Sequence, residues 1–159
     1  MTSAGDSPGP PPLAPFGLRL HHDGRFTHDG EPIHNRRLRE HFDRSVEYLL
    51  AEDKYIVRLK HFRGEIEVQE AGFFVREVDL STGELGLSDG SREILDVPTL
   101  SASPIDGAFL CAIKMHSVPG GLPARFSHAA QAELLQAIEE DDSGYFVCIG
   151  GRRERCPDI

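Results

Sequence analysis

Asn35-Arg36-Arg37-Leu38-Arg39-Glu40-His41-Phe42-Asp43-Arg44-Ser45-Val46-Glu47-Tyr48-Leu49-Leu50, read at helical spacing, puts Leu38, Phe42, Val46 and Leu49 on one apolar stripe flanked by charge. Asp53-Lys54 then turns the chain into Tyr55-Ile56-Val57-Arg58-Leu59, a β-branched and aromatic run of strand length. A helix with one apolar face, delivered straight into a buried strand, needs a sheet to cover, and this sets an α+β expectation. Asn35 is the expected N-cap, its side chain accepting from the free N–H groups of the first turn. Arg36, Arg37 and Arg39 crowd that turn, where the helix dipole disfavours cations, a mild flag for an anion nearby.

On the N-terminal side, Leu18-Arg19-Leu20 alternates as a strand, Asp23-Gly24 is a hairpin turn and Arg25 to His28 can return. Residues 1–16 are rich in Pro, Gly and Ser and are expected to form a disordered leader; such a segment can alternatively dock into a partner's aromatic groove. On the C-terminal side, Glu65 to Glu70, Phe73 to Leu80, Glu84 to Leu87 and Glu93 to Val97 alternate between turn signals, as an antiparallel meander with one wet face would. Residues 98–107 are polar and contain Pro, and they read as a connection between a first half, 17–97, and a second half, 108–159. The second half opens on the apolar run Ala108 to Met115, an interior strand. Ser127 then caps a second helix carrying Ala130, Leu134, Leu135 and Ile138, expected to fray at the carboxylates Glu139 to Asp142. Tyr145 to Ile149 is a further strand, and the basic tail from Gly150 can add a last one.

The two ends share an order of parts. Gly30-Glu31-Pro32-Ile33, a helix, an acidic turn and Tyr55-Ile56-Val57 match Gly121-Leu122-Pro123-Ala124, a helix, an acidic turn and Tyr145-Phe146-Val147. The expected architecture is therefore an antiparallel sheet packed by two helices, built as two related hairpin-helix-strand halves. With Asp23-Gly24-Arg25-Phe26, Ile66-Glu67-Val68 and Ala124-Arg125-Phe126-Ser127, these segments resemble the bacterial domain-of-unknown-function family 1285 over roughly residues 18 to 155. The resemblance implies an α+β fold with a repeated motif and a role in signalling or ligand sensing. Two places depart from that family's pattern: Arg58-Leu59-Lys60-His61 stands for its Thr-Pro-x-Glu run, and Glu70-Ala71-Gly72-Phe73 for its acidic-Ala-Pro-Phe turn.

A net charge of -9 over 159 residues argues against a nucleic-acid or anionic-membrane partner. No secretory signal and no apolar run near the ~20 residues of a membrane span can be read, so a cytoplasmic protein with three reduced cysteines is expected. The eight histidines follow no metal-ligand spacing, and no cofactor fingerprint or activated nucleophile stands out, so no metal, cofactor or catalytic residue is assigned. Arg58 and Lys60 share one strand face, His61 follows them and Arg125 precedes the second helix; if the halves pack together, these four residues can converge on a small anionic ligand. The leading expectation is a non-enzymatic cytosolic ligand-binding or regulatory domain, with a second copy of the chain as a candidate partner. The alternatives are a small hydrolase or transferase using His61 or a glutamate as base, and a protein-interaction adaptor with an open sheet edge.

Overall fold

The computed structural model describes residues 14–59 and 62–159, with side chains at 17–58 and 63–159. The chain divides into two compact units, Met1–Gln69 and Glu70–Ile159. The division does not fall in the stretch 98–107. There Val97 and Leu100 are buried, a 3-10 turn spans Val97–Thr99, and Ser101 and Ala102 pair with Leu110 and Phe109, so the Pro-containing segment is built into the second unit.

The first unit opens on β1 (Ala14–Leu20), which begins inside the segment read as leader; residues 1–13 lie outside the described residues. The hairpin at Asp23-Gly24 forms as expected, leading to β2 (Phe26–His28) and β3 (Glu31–Pro32). Helix α1 (Arg36–Ser45) starts where its cap predicts: the Asn35 side chain accepts from the Leu38 N–H at 3.0 Å. It ends earlier than the apolar stripe implies. Val46 is extended, and Glu47–Leu49 is strand β4, paired antiparallel with β5 (Lys54–Leu59) through Tyr48↔Tyr55. Val46 and Leu49 fit a helical period, but β-branched and aromatic residues also suit a pleated surface, and hydrogen bonds to β5 decide for strand. β6 (Phe62–Val68) completes a sheet in the order β3-β2-β1-β6-β5-β4. Phe42 of α1 is buried against Phe26, with ring centroids 5.8 Å apart, and Leu18, Leu20, Ile56 and Val57 of the strands are buried in the same unit.

The second unit carries β7 (Phe73–Asp79), β8 (Glu84–Leu87), β9 (Arg92–Ile94), β10 (Ser101–Ala102), β11 (Phe109–Ile113) and β12 (Leu122–Phe126) in a sheet ordered β10-β11-β12-β7-β8-β9. Helix α2 (His128–Leu135), capped by Ser127 at 3.2 Å from the Ala130 N–H, packs on β7 and β12. Instead of fraying, the acidic segment leaves the helix and becomes β13 (Ile138–Asp141), in a separate three-stranded sheet with β14 (Gly144–Ile149) and β15 (Arg152–Arg155). Gly121 shows one requirement of the β11–β12 turn. At φ +75° a Cβ there would sit 2.9 Å from the Ile113 carbonyl, so only glycine fits without backbone movement.

Among the described residues the architecture is α+β with two α-helices, but the two six-stranded sheets are mixed and not purely antiparallel, and only the three-stranded sheet is antiparallel throughout. β1 runs parallel to β6 and β12 runs parallel to β7. Parallel neighbours need long connections, and here whole hairpins and helices intervene. The consequence for β7 is that Phe73, Phe74 and Val75 are all buried, where a one-sided meander strand would alternate. Among the described residues, no helix is long and apolar enough to cross a membrane.

Candidate functional site

A buried ion cluster of the second unit forms around Arg125. This residue lies in β12, opposite Leu110 of β11 and Phe74 of β7, so the strand order carries a cation into the middle of the sheet. Its side chain is only 9% exposed. Such a cation needs counter-charges, and two carboxylates from distant sequence supply them. Glu70, at the start of the unit and also 9% exposed, accepts from Nη1 at 3.1 Å. Asp106 takes the fork in bidentate fashion, accepting from Nη1 at 3.0 Å and also from Nη2. The Asp106 hydrogen bonds raise the guanidinium pKa above its ordinary value against the opposing effect of burial, with Glu70 adding to the rise.

A small loop holds the carboxylates. The Ser103 hydroxyl donates to Glu70 Oε2 at 2.6 Å and accepts from the Ile105 N–H at 3.1 Å. The loop closes on itself through Ser103 N–H to the Ala108 carbonyl, 2.7 Å, and Gly107 N–H to the Ser103 carbonyl, 2.8 Å. Asp106 also accepts from the Ala108 N–H. Its side chain is 38% exposed, so the fork has one buried carboxylate and one that faces water.

Of the residues singled out from sequence, Arg125 is the centre of this cluster. Arg58 lies in the first unit, in β5; its Nε donates to Glu47 of β4, and its carbonyl accepts from the His41 ring at 3.1 Å. Lys60 and His61 lie outside the described residues. Arg58 and Arg125 thus belong to different units, and each meets carboxylates of its own. Glu70, Ser103 and Asp106 carried no sequence signal as partners of Arg125. The one available cue was Asp106-Gly107, a turn signal that says nothing about what its carboxylate meets. In the first turn of α1, Arg36 pairs with Glu40 at 2.9 Å, an ordinary i,i+4 contact.

The environment shifts all three thiols upward. Burial pushes Cys111 up to about 12, with Glu93 and Asp96 adding to it, and burial also raises Cys148 and Cys156. Among the described residues, no group of three or more His, Cys, Asp and Glu side chains is placed to hold a metal ion.

No family model and no curated protein matches the sequence. Among solved structures, the chain is similar to a DUF1285 family protein from Silicibacter pomeroyi, with a TM-score of 0.61 at 17% identity, over 94% of this chain and 88% of that one. The chain has the DUF1285 fold. A second DUF1285 family protein, from Shewanella baltica, matches at a TM-score of 0.49 and 12% identity, over 76% of this chain and 91% of that one. The α+β architecture implied by Asp23-Gly24-Arg25-Phe26 and Ala124-Arg125-Phe126-Ser127 is thereby supported at the level of fold, in a family whose designation names no activity.

Proposed function

We propose that this protein is a non-catalytic regulatory domain that binds a small carboxylate-bearing ligand at Arg125, the ligand's carboxylate taking the place of Asp106. The observation that carries the reading is the asymmetric fork: a buried guanidinium held from behind by Glu70 and from the water side by a half-exposed Asp106. Planar bidentate pairing is what arginine offers any carboxylate, and an incoming one reproduces the geometry that Asp106 already fills. The loop also closes through backbone bonds between Ser103, Gly107 and Ala108. Exchange requires the Asp106 side chain to turn outward and give up its bond from the Ala108 N–H, while those backbone bonds stay in place.

The non-catalytic part rests on the direction of the shifts. Acid–base and nucleophilic catalysis needs carboxyls raised, or thiols and phenols lowered, toward neutrality. Here Cys111, Cys148 and Cys156 are raised, Tyr55 is pushed up to about 12 by burial, and Asp23, Asp79, Asp89 and Asp141 are lowered. Each of these groups is held in its ordinary charge state.

The test is thermal melting of the full chain and of an Asp106→Ala variant against mono- and dicarboxylates and nucleotides. A ligand at about 100 times its dissociation constant stabilises the fold by roughly 2.7 kcal/mol, a readable shift. Wild type is expected to respond to one carboxylate class, and the Asp106→Ala variant to regain stability with acetate or formate. If no carboxylate moves wild type and neither small acid rescues the variant, the reading fails.

A further inference from the structure

The three-stranded sheet carries a second feature, independent of Arg125. In register, Glu139 of β13, Phe146 of β14 and Arg155 of β15 form one row, and Cys148 pairs with Arg153 in a neighbouring row. Side chains alternate across a strand, so Glu139, Asp141, Phe146, Cys148, Arg153 and Arg155 share one face, while Val147 and Ile149 point to the other. Val147 and Ile149 are fully buried, which makes theirs the core side. The opposite face is open in the intact chain: Glu139, Asp141 and Arg153 side chains are 62%, 41% and 46% exposed.

Charge on that open face is segregated by strand and not interspersed. The acids stand on β13 and the cations on β15, with an aromatic between them. The Arg153 guanidinium lies over the Phe146 ring, 3.7 Å from its centroid, and reaches back to both acids of β13, Asp141 at 2.8 Å and Glu139 at 3.7 Å. Two carboxylates thus share one guanidinium on the β13 side, while Arg155 stands across the Phe146 ring from Glu139. Arg155 donates to the Ser143 carbonyl, a contact that leaves its charge uncancelled there.

Such a face complements itself. A two-fold axis running along β14 turns a second copy so that its β13 lies over β15 of the first. Glu139 of each copy then faces Arg155 of the other, and the two Arg153–Phe146 stacks meet at the axis. An isologous contact requires this relation, the same patch on both sides with opposite charges exchanged by the dyad. We propose that the open face of the β13–β14–β15 sheet is a self-association surface and that its partner is a second copy of this chain, registered by reciprocal Glu139–Arg155 pairs.

The test is sedimentation equilibrium of the full chain over a concentration series at low and high salt, with far-UV circular dichroism as the folding check. Wild type is expected to show a monomer–dimer equilibrium that weakens with salt. Glu139→Arg or Arg155→Glu alone sets like charges across the axis and should weaken association by about tenfold or more. Mixing these two variants restores complementarity, so the mixture should associate more tightly than either variant by itself. The double variant Glu139→Arg/Arg155→Glu exchanges the signs within one chain and should self-associate like wild type, which separates loss of the interface from loss of the fold. A wild type that stays monomeric at every concentration overturns the proposal. So does a dimer indifferent to both reversals, or a pair of variants that fail to associate when mixed.

Discussion

Replacing Arg125 with methionine probes the energetic core of the second unit. Methionine keeps much of the aliphatic bulk, so the change is chiefly electrostatic. Glu70 retains its bond from Ser103 but loses its counter-charge, at a side chain only 9% exposed. Removing one partner of a buried pair typically costs about 3–5 kcal/mol. Asp106, at 38% exposure, regains water and should add little, which places the expected loss at the low end, about 3 kcal/mol. Against the roughly 5–15 kcal/mol of a typical domain, that is a large fraction. Urea unfolding followed by far-UV circular dichroism measures it, because the chain has no tryptophan to report by fluorescence.

A second reading of the same variant sharpens the test. In a double-mutant cycle with Glu70→Gln, the second substitution removes the orphaned charge and should recover about 2 kcal/mol. A deficit below about 1 kcal/mol, additive with Glu70→Gln, would refute the claim that Arg125 is held by buried charge.

Other consequences are equally direct. Native protein at about pH 8 should expose Cys148 first to a disulfide reagent, and slowly, while Cys111 and Cys156, at 3% and 7% exposure, react only after denaturant is added. Asn35→Ala and Ser127→Ala each remove a helix cap and should lower stability by about 1 kcal/mol, additively since the caps lie in different units with no shared partner. Asp89 is pushed up by burial but held lower on balance by Lys114 at 2.8 Å and by Ser91, so its contribution is present above the ordinary carboxylate pKa and lost as pH falls through the lowered one. Asp89→Asn should thus be less stable than wild type at neutral pH, with the two acid-unfolding curves converging below about pH 3.

What the sequence determined by itself is what a few neighbouring residues settle among themselves. Asn35 and Ser127 name the helix starts because a cap reaches only the next turn. Asp23-Gly24 names a turn because its φ requirement is local, and the run Ala108 to Met115 names an interior strand because it is nearly continuously apolar, the observed strand being Phe109–Ile113. Arg125 was legible as a cation of interest, though not what it meets.

Tertiary structure decided the rest. Val46 to Leu49 and Ile138 to Asp141 leave their helices because strands β5 and β14 offer them ladder hydrogen bonds, a partner that no local window contains. The parallel pairings of β1 with β6 and of β12 with β7 depend on segments far apart in sequence. The same long-range closure brings Glu70 and Asp106 to Arg125 and places the unit boundary at Gln69 and Glu70 rather than at the Pro-containing stretch. Propensity and capping act over a turn or two, whereas strand partners and buried counter-ions are chosen by the global minimum of hydrogen bonding and desolvation, which only the folded chain expresses.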